Sequence, residues 1–384
     1  RDGVGGKAWL FGGAFVLLIA GCLSKEIAFA LPLVIVAYEI CFFRESWSQR
    51  LKSGIASNAG KVIIISVCIL LVFAGGLVWS YMDLSEMLHL REPWSNRDFN
   101  GIERVLTQPR VQMFYLSLLV WPAPSRLNLD HEFELSRSWL HPWSTLPSWL
   151  FWAVICILAI QLARKRPPLG FPVLAYLVLH LIESGPINLE IIFEHRMYLP
   201  MCALVLALAT ALACLPQRLN RRLLIGLLCL WAPLAWGTHE RNVTWGELLR
   251  FHEDCALKSP NKYRPQFNYG TYMGTRGRYA EAQIALENAL RIEPEKSEAH
   301  NQLGNVYMMT GQLQKAELAY REAVHLEPAN AEAVFNIGLV LEQQGDHRGA
   351  VLWYMKFLRE VPPRLQWMVP EARKKVIALG GDPG

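Results

Sequence analysis

Residues 297–330 read SEAHNQLGNVYMMTGQLQKAELAYREAVHLEPAN. Their landmarks return 34 residues earlier and 34 residues later: Gly270, Gly304 and Gly338; Gly277, Gly311 and Gly345; Ala282, Ala316 and Ala350; Pro294, Pro328 and Pro362. Self-similarity at that period marks stacked helix pairs, each unable to bury its apolar face alone. The physics of one unit is readable. A small residue stands where two antiparallel helices cross, a Gly ends the first helix, an Ala lets the second pack closely, and a Pro stops it. Three units follow, 263–296, 297–330 and 331–364, about the minimum for a stable stack.

The unit resembles the tetratricopeptide repeat (TPR). In the central copy Leu303, Gly304, Tyr307, Gly311, Ala316, Ala323 and Pro328 all fall on family positions, and the outer copies carry Ala289 and the glycines, alanines and prolines named above. Phe357 departs, standing where a small residue is usual; with Pro362 and Pro363 after it, and a polar helix near 371–378, it suits a terminal repeat followed by a capping helix and tail over 365–384. The resemblance implies a protein partner. It does not identify one, because the surface residues that would choose it vary freely.

Upstream the chain changes character. A mean hydropathy of +0.19 averages long apolar runs up to about Trp236 with an ordinary charged segment after it. The expected fold is therefore all-α, in two domains: a polytopic transmembrane helical bundle over 1–237, a linker at 238–262, and an α-solenoid. A bilayer core asks for about 20 apolar residues per helix, or about 17 for a short one. Seven candidate spans meet or approach this: 8–23, 27–43, 61–81, 148–162, 169–182, 197–215 and 223–237. The piece 111–121 is too short for a confident crossing.

Net charge is +5, but the basic residues sit in short connections at 44–52, 164–166 and 218–222. They speak of membrane orientation, not of nucleic-acid binding, and assign those connections to the cytoplasm. Alternating seven spans from there puts 24–26, the loops 83–147 and 183–196, and the repeat array on the extracytoplasmic side, which is periplasmic in a bacterium. Trp94, Trp121, Trp139, Trp143 and Trp149 read as an interfacial belt. Seven of the eight cysteines lie in or beside apolar runs, Cys255 being the exception, so they read as small core hydrophobes. No CxxC, HExxH, Walker or dinucleotide pattern occurs, and neither a cofactor nor a bound metal is assigned, although a divalent ion stays open.

Three polar clusters fall on the expected outer side. Lys25 and Glu26 interrupt apolar sequence almost without a spacer, which suits either a cavity-facing pair or an interfacial hairpin. Glu194, His195 and Arg196 precede an apolar helix, where free N–H groups and a forked guanidinium favour a phosphate; a Glu194–Arg196 pair is the structural alternative. Asp130 and His131, with Asn128 and Glu132, offer an acid–base relay, a weak metal site or a plain loop with a capping Asp.

Ser24, Lys25 and Glu26 followed by Leu31, Pro32 and Leu33; Tyr115, Leu118, Leu119, Pro122 and Leu127 through His131; and Glu194 through Arg196 with Tyr198, Leu199 and Pro200 together resemble the transmembrane and tetratricopeptide-repeat O-mannosyltransferases and their bacterial GT-C-like relatives. The resemblance implies a membrane glycosyltransferase that takes sugar from a polyprenyl-phosphate donor and passes it to a protein hydroxyl. It implies Lys25, His195 and Arg196 as phosphate-gripping residues, with Glu26, Asp130, His131 and Glu194 in the same cavity. No catalytic base is named: the chain opens at Arg1 without Met, reads as the C-terminal part of a longer protein, and the expected acidic loop belongs upstream. Two other readings stand beside it, a non-catalytic membrane scaffold displaying the repeats and a polysaccharide polymerase or ligase.

Overall fold

The computed structural model describes residues 28, 30–43, 97–186 and 189–382, and among these every regular element is helical. The expected spans 8–23 and 61–81, and with them Lys25, Glu26 and Trp94, lie outside the described residues. The chain divides into two compact units, Arg1–Leu127 with Phe133–Gly237, and Asn128–Glu132 with Thr238–Gly384.

In the first unit the helix Gly101–Val120 starts at a complete capping box. Asn100 accepts from the Glu103 amide at 2.9 Å, and the Glu103 carboxylate accepts from the Asn100 amide at 3.1 Å. The piece 111–121 is thus the second half of a longer helix, whose first half carries a polar face. Helix Thr145–Lys165 leans on it, with the Trp149 and Trp152 indoles donating to the carbonyls of Leu106 and Pro109. Helix Pro167–Glu183 packs between Thr145–Lys165 and Tyr198–Ala213, and the short helix Leu31–Phe42 meets it through Tyr38, Phe42 and Phe171.

Among the described residues three segments are long and apolar enough to cross a membrane: Thr145–Lys165, Glu194–Ala213 and Arg221–Gly246. Leu31–Phe42 and Pro167–Leu181 are shorter apolar helices, so two of the expected spans fall below that length. Protein covers little of the three long ones. None of the most apolar window of Arg221–Gly246 is buried, and Leu228 and Trp231 are each 71% exposed. Apolar surface of that extent calls for an apolar solvent.

The second unit is a TPR-like α-solenoid. Its helix pairs are Tyr263–Thr275 with Tyr279–Ile292, Ser297–Met309 with Leu313–Leu326, and Ala331–Gln344 with His347–Glu360. Every leading helix ends in the same way. Gly277, Gly311 and Gly345 take φ of +73°, +74° and +86°, and each lets two amides turn back: Gly311 N–H to Met308 O at 3.1 Å and Gln312 N–H to Tyr307 O at 2.8 Å in the central copy. Ala282, Ala316 and Ala350 are fully buried at the crossings.

A Cβ on Gly304 would stand 2.6 Å from the Tyr320 ring, and one on Gly338 would stand 2.6 Å from Tyr354. Side-chain bonds tie the ends of the central unit together: Asn330 Nδ2 donates to Ser297 Oγ at 2.7 Å, and Ser297 Oγ to Ala323 O at 2.9 Å. Phe357 is 1% exposed and packs on Phe335, using the larger space where a turn, Pro363–Met368, and the helix Val369–Ala378 replace a fourth repeat. That last helix is tied back by Lys375 to Glu342 at 2.9 Å. Burial opposes the Glu342 charge, but bonds from Tyr354 and Lys375 hold its carboxyl below the usual range.

Candidate functional site

Arg196 sits in a buried polar centre of the first unit, with Glu194 half-buried and His195 exposed beside it. The Arg196 guanidinium is 7% exposed, donates to Glu190 O at 2.6 Å, lies 3.9 Å from the Glu183 carboxylate, and stands 5.2 Å over the Phe193 ring. The His195 ring stacks on that of Phe193, with centroids 5.1 Å apart. Residues Glu194–Met197 form a single 3-10 turn leading into the apolar helix Tyr198–Ala213. The structure therefore brings Glu194, His195 and Arg196 to a helix start, and it occupies Arg196 with protein acceptors.

The centre has a second cation that the motif reading missed. Arg104 is fully buried on the helix Gly101–Val120 and donates to the carbonyls of Glu183 at 2.5 Å, Leu189 at 3.1 Å and Gly185. Desolvation, and then the nearby Arg196, lower its pKa to about 9, with Glu183 acting the other way; the group remains a cation at neutral pH. Below it on the same face Gln108 donates to Ile191 O at 3.1 Å, and the Tyr115 hydroxyl donates to Phe193 O at 2.9 Å while accepting the Phe193 amide at 2.8 Å. Arg97 forms an ion pair with Glu190. One helix face thus satisfies the carbonyls of Glu183, Gly185, Leu189, Ile191 and Phe193. The signal was available as polar residues at 104, 108 and 112, an i, i+4, i+8 stripe beside apolar sequence.

Asp130 and His131 belong to the second unit, where Lys262 lies 2.9 Å from Asp130 Oδ1 and Arg264 3.6 Å from Oδ2. Ser259 is fully buried and donates to Asp130 O at 2.5 Å, while Asn128 Nδ2 donates to Ser259 Oγ at 2.9 Å. The segment is grouped with the entry to the first repeat, where two cations and a buried hydroxyl match its carboxylate and carbonyl. Among the described residues no three His, Cys, Asp or Glu side chains come together as a metal-binding group.

In the array the leading helices of successive repeats lie side by side, and an amide ladder crosses them. Asn336 Nδ2 reaches Asn301 Oδ1 and Asn305 Oδ1, each at 3.1 Å; Tyr320 donates to Asn305 Oδ1 at 2.7 Å, and Asn305 Nδ2 to Gln302 Oε1 at 3.2 Å. Such side-chain amides offer the same donor and acceptor chemistry as a peptide bond.

The tetratricopeptide repeat family matches residues 274–327 and again 302–364. No curated protein matches the chain. Among solved structures it is similar to MamA, with 21% identity, a TM-score of 0.31, and coverage of 36% of this chain and 88% of that one. It is similar also to the Sgt2 TPR domain from Aspergillus fumigatus, with 20% identity, a TM-score of 0.27, and coverage of 30% and 79%. A third is YrrB, described as a TPR protein with an unusual peptide-binding site, with 20% identity, a TM-score of 0.29, and coverage of 36% and 80%. The repeats support a role in protein–protein interaction.

Proposed function

We propose that this protein is a membrane-anchored scaffold whose repeat array holds a protein partner on the extracytoplasmic side. The amide ladder at Asn301, Asn305 and Asn336 carries the reading, since it lines the leading helices with groups suited to an extended peptide backbone. The apolar helices, hardly covered by protein, supply the anchor. Photo-crosslinking in the native membrane tests this. A benzophenone amino acid at Gln302, among the amides, should capture discrete protein partners, and one at Leu318, 68% exposed on a following helix, should capture none of them. The same adducts from both positions would sink the reading.

A second reading is transfer of sugar from a polyprenyl-phosphate donor to the held protein, as the resemblance implies. What favours it is a buried Arg196 beside His195 at the start of an apolar helix, where a phosphate would find positive charge. A donor phosphate would have to compete there with Glu190 O and the Glu183 carboxylate. Replacing His195 and Arg196 by Ala should abolish transfer from labelled polyprenyl-phosphate sugar with membrane insertion intact. Unchanged transfer would remove these residues from the site.

A further inference from the structure

In the first unit a short loop is pinned at both ends and turns its apolar side chains outward. Thr145 Oγ1 donates to Ser136 Oγ at 2.8 Å, the Ser136 amide donates to Thr107 Oγ1 at 2.8 Å, and Arg110 Nε donates to Ser144 Oγ at 2.9 Å. Thr107 and Arg110 both stand on the helix Gly101–Val120, so that helix fixes the two ends of the loop 137–143. The loop is also closed within itself. The amides of Arg137 and Ser138 donate to His141 O at 3.1 and 3.2 Å, and the His141 amide donates to Ser138 Oγ at 3.1 Å. Held in this way, it leaves Trp139 52%, Leu140 73% and Trp143 80% exposed. Large apolar side chains so concentrated on a surface mark a contact with something other than water.

The direction in which the loop folds says what that is. Trp139 packs its ring on Trp149, with centroids 5.6 Å apart, and Trp149 belongs to the helix Thr145–Lys165, long and apolar enough to cross a membrane. The loop therefore returns beside the first turn of that helix, level with a residue about 6 Å inside it at the α-helical rise, instead of standing off from its end. The helix continues the apolar surface, since Leu150, Val154 and Leu158 are exposed. Its other end carries Arg164 and Lys165, about 30 Å away, the thickness of a bilayer core. Arg137, at the root of the loop, is exposed and can stay among headgroup phosphates while an apolar tip goes deeper.

We propose that the loop 137–143 is a wedge into the lipid bilayer, with Trp139, Leu140 and Trp143 inserted at the boundary between headgroups and acyl chains. The inference rests on the reading that Thr145–Lys165 crosses the membrane, and it adds a second, non-helical attachment to that anchor. The tryptophans of the sequence are not equivalent in this role: the Trp149 indole is turned inward to Leu106 O at 3.3 Å, whereas Leu140, between the two outward rings, joins them. An indole suits the boundary because its body is apolar and its N–H can face water. A protein would also cover such a patch, but the patch is continuous with a helix face that itself asks for lipid.

The test uses the full chain in its native membrane, with a benzophenone amino acid placed singly at Leu140, at Val154 in the middle of the helix, or at Leu318 on the repeats. All three side chains are more than half exposed, so the substitutions leave the packing intact. After irradiation, mass spectrometry should find phospholipid adducts at 140 and at 154, and at 318 a yield lower by on the order of tenfold or more. Lipid adducts at 154 without any at 140 overturn the wedge and leave the crossing helix in place. Adducts of residue 140 with protein in place of lipid overturn it as well, and assign the patch to a protein partner. A lipid yield at 318 equal to that at 140 shows the labelling to be unselective and also overturns it. If neither 140 nor 154 captures lipid, the crossing at Thr145–Lys165 falls, and the wedge with it.

Discussion

Glycine does two unrelated jobs in each repeat, and substitution separates them. Gly311 takes φ of +74° with open space where a Cβ would go, so its constraint is conformational. Gly304 has ordinary helical backbone and the Tyr320 ring 2.6 Å from that point, so its constraint is steric. Gly311→Ala should cost about 1–2 kcal/mol, and Gly311→Asn less, because asparagine tolerates the left-handed region. Gly304→Ala should cost about 1–3 kcal/mol by overpacking, and Gly304→Asn more, being larger. Thermal unfolding of the four variants checks this; Asn worse than Ala at 311, or better than Ala at 304, would contradict the assignment. Both glycines are legible in the periodic sequence, one at the helix crossing and one at the helix end; the ring that fills the crossing, Tyr320, sixteen residues on from Gly304, is shown only by the structure.

At the scale of elements, the helix Gly101–Val120 is the one most easily misread. A scan for apolar runs finds only 111–121, because Arg104 and Gln108 break the run on the face that is in fact buried. Those residues are inside because the loop beyond Glu183 has no regular partner for its backbone, and an unpaired buried carbonyl is costly. Arg104 meets three such carbonyls at good hydrogen-bonding range or closer, from positions 79 to 85 residues away in sequence. Arg104→Ala should release this loop at a cost on the order of 3 kcal/mol, and Arg104→Lys should recover only part of it, since an ammonium cannot reproduce the fork. Limited proteolysis within 184–193 would report the release; resistance equal to the parent's would show that the loop is held by other means.

For the whole molecule, solvent is the deciding quantity. Helices such as Arg221–Gly246 are apolar and uncovered, whereas the repeats bury their apolar residues among themselves, around Tyr320, Phe335, Tyr354 and Phe357. The first unit should therefore resist extraction from membranes by alkaline carbonate. Its basic connections also make a statement about sides: a C-terminal reporter enzyme active only outside the cytoplasm should be active, and a reporter after Arg166 should not. The reverse pattern would invert the proposed orientation and move the partner to the cytoplasm.

The repeats were legible from residue spacing because each unit contacts only its neighbours, so one period of local chemistry, a left-handed glycine, a crossing alanine, a stopping proline, specifies the stack. The same holds for the apolar character of the body, a property of composition alone. Tertiary structure was needed wherever a residue's partner lies far off and follows no period. It took Asp130 to Lys262, over 132 positions, gave Arg104 its loop, and fixed the loop 137–143 on Thr107 and Arg110.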